Sequence, residues 1–527
     1  TGSSNGMYNI QKSDGKQTYG DVIANINKRF FEDKLSLVAN VGTSLSDIKW
    51  NQLGNRGPID ENLIPNVFTV TQINRARLIP EQSGYHDQTK SLFASVELGW
   101  RSRLYLTMTG RNDWPSMLAG PHSNKSSFFY PSIGSSWIIS ESFNLPQQID
   151  YLKVRASFAS VGLSFPRWYA NPKYTWDENK KQWSSQTTYP MYNLKPERTD
   201  SWEFGLQTRL FKHFNIDLTY YLTKTYNQTF DPKISASSGY SKMYIQTGNV
   251  RNQGLELALG YNNTWGEFSW RSNYTFSMNR NKIKELVTAY VHPQTKALIT
   301  VDKLDEGGLG AAHFILKKGG TLGDLYSLSD IQRDSNGKVY VDEDGKVYKN
   351  TNVEDIKLGS IFPKSNMAWR NEFSWKGLNL GVMVAARFGG IVYSATQANL
   401  DYYGVSKTTA NIRDKGGVSI NDGENIINPE TWFTTIGASD GIPIFYTYSA
   451  TNVRLQEASI GYTFKKNVLF GFGELTFSLV GRNLLMLYCK APFDPETTAT
   501  TGNYYQGIDK FMTPSSRNLG FNIKLKF

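Results

Sequence analysis

The sequence predicts an all-β chain, a transmembrane antiparallel β-barrel of about fifteen strands, and three observations predict it. Segments that alternate apolar and polar residues recur from one end of the chain to the other. The connections between them alternate short and long. No apolar run approaches the roughly 18 residues that a spanning helix needs, and the mean hydropathy is −0.44.

The end of the chain shows the first pattern most plainly. Leu519, Phe521, Ile523, Leu525 and Phe527 alternate with Gly520, Asn522, Lys524 and Lys526. Period two puts the apolar set on one face of a strand and the polar set on the other. In a soluble protein such a strand leaves a sticky edge. In an outer-membrane barrel it closes the sheet, apolar face to lipid and polar face to the lumen. The same alternation sets Leu104, Leu106 and Met108 against Arg103, Tyr105, Thr107, Thr109 and Arg111. It sets Trp202, Phe204, Leu206, Thr208 and Leu210 against Glu203, Gly205, Gln207 and Arg209, and Phe214, Ile216, Leu218, Tyr220 and Leu222 against Asn215, Asp217, Thr219 and Tyr221. The polar sets mix charge, hydroxyl and glycine, which suits a wet lumen rather than a dry core.

In chain order, period-two runs bounded by turn residues predict strands over 18–31, 34–47, 88–101, 103–112, 127–140, 151–162, 199–212, 214–230, 249–265, 267–281, 364–376, 378–390, 452–465, 474–484 and 516–527. The short connections are Phe31–Lys34, Arg101–Arg103, Ser140–Asp150, Phe211–His213, Trp265–Glu267, Lys376–Gly377 and Lys465–Gly473. The long ones lie near 46–88, 113–126, 163–198, 231–248, 282–363, 391–451 and 485–515. Short periplasmic turns and long extracellular loops are the rule for outer-membrane barrels, whereas a sandwich has no reason to place every long loop at one end. Bacterial single-chain barrels have even strand numbers, and Thr1–Gln17 is polar and glycine-rich. Residues 1–17 are therefore expected as an extracellular loop tail, and 18–527 as the C-terminal part of a longer barrel of twenty-two strands. Another polypeptide stretch would supply the plug and the first strands.

Composition narrows the function. Aromatics are abundant, with 30 Tyr, 29 Phe and 13 Trp; interface girdles and sugar-binding surfaces are two uses for them. The net charge is +11, but Lys and Arg are spread along strands and loops, which argues for solvated faces and lumen lining over nucleic-acid binding. Cys489 is the only cysteine and the five His are scattered, so neither an intrachain disulfide nor a Cys/His metal site is expected.

Local candidates are few. Asp334-Ser-Asn-Gly337 and Asp342-Glu-Asp-Gly345 superficially resemble a calcium loop, but Gly345 comes too early and no Glu stands at the twelfth position. Flanking Lys338–Asp342, they read instead as type I′ turns of a small surface hairpin. Trp168, Tyr169, Trp176 and Trp183 in loop 163–198, Tyr402 and Tyr403 in loop 391–451, and Tyr504 and Tyr505 in loop 485–515 are candidate ligand contacts. Exposed aromatics stack on sugars or peptide side chains, and they equally pack loops or contact a partner. Glu203, Arg209, Glu256, Arg370, Glu372 and Arg387 are read as lumenal residues that pair with neighbouring strands or a plug. No catalytic constellation, metal site or cofactor motif stands out.

Several stretches resemble the SusC/RagA family of TonB-dependent outer-membrane transporters of Bacteroidetes. They are Thr199-Asp-Ser-Trp-Glu-Phe-Gly-Leu206 with Asp217-Leu-Thr-Tyr-Tyr221; Ser237-Ser-Gly-Tyr240 with Gly248-Asn-Val-Arg-Asn-Gln-Gly-Leu-Glu-Leu257; Ala386-Arg-Phe-Gly-Gly390; Val453-Arg-Leu455 with Ala458-Ser-Ile-Gly-Tyr-Thr-Phe464; and Gly481-Arg-Asn-Leu-Leu485 with Phe493-Asp-Pro-Glu496. The resemblance covers most of residues 90–527. It implies a bacterial outer-membrane location and a barrel of twenty-two strands with an N-terminal plug and TonB box. It also implies a SusD-like surface lipoprotein that caps the barrel, import of glycans or oligopeptides driven by the TonB complex, and a possible dimer of transporter–lipoprotein pairs. The readings kept beside it are a siderophore or cobalamin receptor of the same barrel type, and a β-rich surface adhesin that binds glycans.

Overall fold

Fifteen strands form one antiparallel meander in which each pairs with its sequence neighbours. They are β1 (Met7–Phe30), β2 (Leu35–Pro58), β3 (Ile79–Trp100), β4 (Leu104–Pro115), β5 (Phe128–Ile138), β6 (Ile149–Leu163), β7 (Glu197–Leu210) and β8 (Phe214–Phe230). The remainder are β9 (Ile245–Trp265), β10 (Phe268–Glu285), β11 (Ser365–Trp375), β12 (Leu378–Phe388), β13 (Asn452–Phe464), β14 (Glu474–Cys489) and β15 (Asn518–Lys526). The computed structural model describes residues 6–526 apart from 61–63, 65, 124, 170–173, 178–180, 185–187, 190–194, 231–239, 241, 244, 292–297, 465–472, 498–499 and 501–504. Each predicted strand has its counterpart, and the long connections all leave from one rim. Among the described residues β1 and β15 each pair on one side only.

One expectation needs correction. Residues 7–17, expected in a loop tail, lie in β1, where Met7–Gln17 pair with Ile48–Pro58. The polar, glycine-rich sequence hid the strand because neither face of this stretch is apolar, so no alternation marks it. β2 and β3 are longer than predicted for the same reason. Phe527, expected to face outward near the periplasmic interface, lies outside the described residues.

Burial is inverted relative to a soluble sheet. Trp202, Phe204, Phe214, Tyr220, Leu259, Trp369, Leu380, Ile460, Phe477 and Leu479 are all exposed on the outer face, the apolar band that lipid covers. On β15, Phe521, Ile523 and Leu525 continue it, and Phe521 stacks on Phe477 with ring centroids 6.1 Å apart. Near the short turns a chain of touching rings runs through Phe214, Tyr261, Trp265, Phe268, Trp270 and Phe373, an aromatic girdle at one interface. The turns there are tight. Arg101 and Ser102, and Phe211 and Lys212, take paired positive φ angles of 49° and 54°, and 51° and 63°, the left-handed pair that type I′ hairpins require.

The lumenal face is polar and cross-linked. Arg155 bonds Asp217 at 2.9 Å across β6 and β8. A row of alternating charge runs from Arg271 to Glu372 (3.5 Å), Arg370 (2.8 Å), Glu457 (3.2 Å) and Arg482 (3.0 Å). Arg370 and Glu372 thus pair with neighbouring strands, as expected. Arg209 donates to the Asn215 side chain at 3.2 Å.

Candidate functional site

The long connections build a folded cap on the barrel's wide rim, and its core comes from segments far apart in sequence. A four-stranded sheet of Lys303–Leu309, Ala312–Lys317, Asp324–Ser327 and Ile356–Ser360 comes from the connection between β10 and β11. Three helices, α1 (Ala395–Tyr402), α2 (Lys407–Asp414) and α3 (Pro429–Ile436), come from the connection between β12 and β13. Phe314, Leu325, Ile361, Tyr393, Trp432, Phe433, Tyr446 and Ile508 bury together in one cluster. Full burial of each such side chain contributes about 1.5–3 kcal/mol, so connections predicted only as loops carry a core of their own.

The helices were missed by the period-two reading because they are only two turns long, but their starts are written locally. The Ser394 and Ser406 hydroxyls accept from the Gln397 and Thr409 N–H groups, both at 3.0 Å. Asn428-Pro429-Glu430 supplies a cap, a proline at the first helical position and an acidic first turn. A second cluster pins the cap to the barrel wall. Val250 of β9 and Ile283 of β10 pack against Leu286, Leu304 and Leu316, and the Leu322 N–H donates to the Asn281 side chain at 2.8 Å.

The segment 334–349 is a tandem pair, Asp-Ser-Asn-Gly-Lys-Val-Tyr-Val and Asp-Glu-Asp-Gly-Lys-Val-Tyr-Lys. The Asp334 carboxylate accepts from the N–H groups of Asn336 (2.8 Å) and Lys338 (3.0 Å), and Asp342 does the same for Asp344 (3.0 Å) and Lys346 (2.8 Å). Only Gly337 (φ 81°) and Gly345 (φ 74°) are left-handed, one per turn. These are type I turns closed by a glycine bulge, and the expected type I′ geometry, which needs two positive φ angles, is corrected. The carboxylates cap backbone, and hydrogen bonds from the Tyr348 hydroxyl and the Lys346 N–H hold Asp342 below the usual carboxylate range. No group of three or more potential metal ligands lies among the described residues.

The upper end of β13 carries a buried knot. The register slips between Val453 and Arg454 and again between Leu455 and Glu457, a bulge that re-aims the side chain. Arg454 and Asp494 have side chains only 6% and 10% exposed. Their contact is bidentate, at 2.9 and 3.1 Å. Arg454 also donates to the side-chain Oδ1 of Asn452 at 3.0 and 3.1 Å, and the Asn452 side-chain amide donates to Glu496 at 3.0 Å. Burial pushes the Asp494 carboxyl up, but the hydrogen bonds from Arg454 and the Glu496 N–H outweigh it and leave it below the usual range. Both partners stood in the motifs Val453-Arg-Leu455 and Phe493-Asp-Pro-Glu496; their pairing across about 40 residues was not readable from spacing. Arg387 donates to the Ile361 carbonyl at 2.8 Å, tying β12 to the cap.

The candidate aromatics gather in pairs rather than in one site. Trp176 and Trp183 meet edge to face at 5.5 Å across a short hairpin, both exposed. Tyr402 and Tyr403 meet edge to face at 5.0 Å at the end of α1, and Tyr403 is 72% exposed. Tyr505 sets its ring against Phe314 of the cap core at 6.0 Å. Tyr169 packs on the buried pair Leu118 and Phe165. Trp168 is exposed with φ 72°, and Tyr504 lies outside the described residues. A cleft of about 600 Å³ opens between β4 and β8, lined by Asn112, Lys125, Phe128, Glu197, Arg198 and Asn227; among the described residues, none of the candidate aromatics lines it.

Known proteins share this architecture. The profile of the family described as TonB dependent receptor-like, beta-barrel matches residues 2–484. Among curated proteins the chain is similar to TonB-dependent receptor P3 of Formosa agariphila, 24% identical over 95% of this chain and 51% of the relative. It is similar to TonB-dependent receptor P26 of the same organism, 25% identical over 85% of this chain and 47% of the relative. Among solved structures it is similar to the RagAB peptide importer in the open-open state, with a TM-score of 0.75 at 18% identity, over 99% of this chain and 56% of that one. The chain spans about half the length of the curated relatives it matches.

Proposed function

The chain belongs to the TonB-dependent receptor β-barrel family, and from that premise we propose that it forms the import barrel of a lidded nutrient transporter. Its place is the bacterial outer membrane, where the apolar band faces lipid. The observation that carries the reading is the folded cap. Three long connections share one core above the lumen and leave Tyr402, Tyr403, Val405 and Phe445 exposed on it. An exposed aromatic surface on a rigid base suits a permanent protein partner, since interfaces are enriched in Tyr and Trp and bury on the order of 1,000 Å² or more. That partner is a SusD-like surface lipoprotein that closes over the mouth.

The cargo is an oligopeptide or a glycan, held between lid and barrel. Similarity to a protein named a peptide importer supports the peptide. The plug, the TonB contact and the strands that complete the wall between β1 and β15 are assigned to the rest of the transporter. The work is binding and gating, driven by TonB pulling on the plug, and two such pairs can associate as a dimer. Purification of the tagged complex in mild detergent tests this. The expected result is a stoichiometric lipoprotein in the same particle. A barrel that purifies without one would favour a receptor of the siderophore or cobalamin kind.

A further inference from the structure

The outer face changes character abruptly at one height on three adjacent strands. On β8 the outward residues run Phe214, Ile216, Leu218, Tyr220, Leu222, and then Lys224. On β9 they run Tyr261, Leu259, Leu257, Leu255, Gln253, and then Arg251. On β10 they run Tyr274, Phe276, Met278, and then Arg280, Lys282 and Lys284. Pairing sets Lys224 directly beside Arg251 and Arg251 directly beside Lys282. Tyr221 and Gly254 share the opposite face, where a Cβ at Gly254 would strike the Tyr221 ring.

The height is that of a membrane surface. Lys224 stands ten residues from Phe214 in the interface girdle, and Arg251 ten from Tyr261. Ten residues rise about 33 Å along a strand, or about 25 Å along the normal at the usual tilt. That equals the thickness of the apolar band, so the cations sit where headgroups begin, on the long-loop side and hence in the outer leaflet.

Among the described residues these cations lack acidic partners. Asp200, opposite Lys224, is held by Arg198 at 2.8 Å. Glu285 lies opposite Asn249 at the strand end and pairs with none of them. The Arg251 Nε is buried with no hydrogen-bond acceptor. Arg280 is partly used, donating to the Lys364 carbonyl at 2.8 Å. Below them and to one side, a groove of about 590 Å³ runs across β4 to β9, with Trp137, Phe204, Leu218, Tyr220 and Leu255 in its walls; Tyr220 and Leu255, at its near edge, stand four residues below Lys224 and Arg251 on β8 and β9. Four clustered cations above an apolar groove match one kind of molecule, with anionic headgroup and acyl chains.

We propose that Lys224, Arg251, Lys282 and Lys284 bind the phosphate groups of an outer-leaflet phosphoglycolipid, whose acyl chains lie along the groove below. The bound lipid neutralises a cluster that otherwise repels itself and fixes the barrel's height in the leaflet.

The test uses the purified complex in mixed micelles containing bisphosphorylated lipid A, the same lipid dephosphorylated, or inorganic phosphate at equal phosphate concentration. The complex should retain the phosphorylated lipid at least about tenfold more tightly than the dephosphorylated one. Each cation near an anionic lipid surface changes binding by about fivefold, so Arg251→Gln with Lys282→Gln should lose about 25-fold. The charge-keeping pair Arg251→Lys with Lys282→Arg should stay within about threefold of the parent. Equal retention of the two lipids would overturn the proposal. So would displacement of the lipid by inorganic phosphate at equal concentration, which would make this a site for free anions. Should the neutral variants not assemble, the comparison of the two lipids on the unaltered complex still decides.

Discussion

Arg454→Met should release the connection between β14 and β15 from the barrel while leaving the barrel folded. The substitution removes the bidentate partner of Asp494 in a site where both side chains are about nine-tenths buried. Breaking a buried pair from one side costs about 3–5 kcal/mol, because a charge stays behind unpaired. Limited proteolysis between Lys490 and Arg517 should accelerate on intact cells, with heat-modifiable migration of the barrel unchanged. The double variant Arg454→Met with Asp494→Leu should recover most of the protection, since replacing both partners with apolar groups removes the stranded charge. The same knot sets a pH dependence. The folded state holds Asp494 below its ordinary value, near 3.9 when unfolded. Its contribution is therefore fully present above about pH 4 and is lost as pH falls through the depressed folded value. Protection should be flat from neutral pH down to about 5 and fall only in stronger acid. A single variant with the parent's protease resistance would remove the knot from the account.

Ile523→Lys should block outer-membrane assembly far more than Lys524→Ile. Ile523 sits on the lipid face with Phe521 and Leu525 and pairs with Phe477, whereas Lys524 pairs with Thr476 on the lumenal face. A charge on the lipid face costs about 2–4 kcal/mol at mid-depth and less near the rim. An isoleucine in the lumen costs far less, because water or neighbouring side chains cover it. The amount of heat-modifiable protein in outer-membrane fractions measures both. Equal yields of the two variants would reverse the assigned faces.

Both cases show what could be read from residues alone. The lipid-facing alternation was legible because lipid demands an apolar residue at every second position, as in Phe521, Ile523 and Leu525. It vanished where β1 rises past the membrane at Met7–Gln17, since water makes no such demand. The cap was legible only as length. Its core joins Phe314, Trp432 and Ile508, residues brought together by tertiary folding rather than by any period in the sequence. Its helix starts at Ser394, Ser406 and Asn428 are local signals and could have been found. Arg454 and Asp494 each stood in a recognisable motif, but a contact between strand and loop leaves no mark in spacing. The candidate aromatics that the structure describes lie on the long connections, where the sequence put them. Their pairing as Trp176 with Trp183 and Tyr402 with Tyr403 depends on hairpin register and helix end, which the loops' irregular sequence did not reveal.

Energised import through a lidded barrel is tested most directly by uptake into intact cells that carry the complete transporter, measured with and without a protonophore. Labelled oligopeptide and oligosaccharide pools serve as cargo. Movement of the plug through TonB requires the proton-motive force, so accumulation of one of the two pools should fall to background when the protonophore is added. Uptake that continues at the same rate would mean passive diffusion through an open pore and would contradict the account.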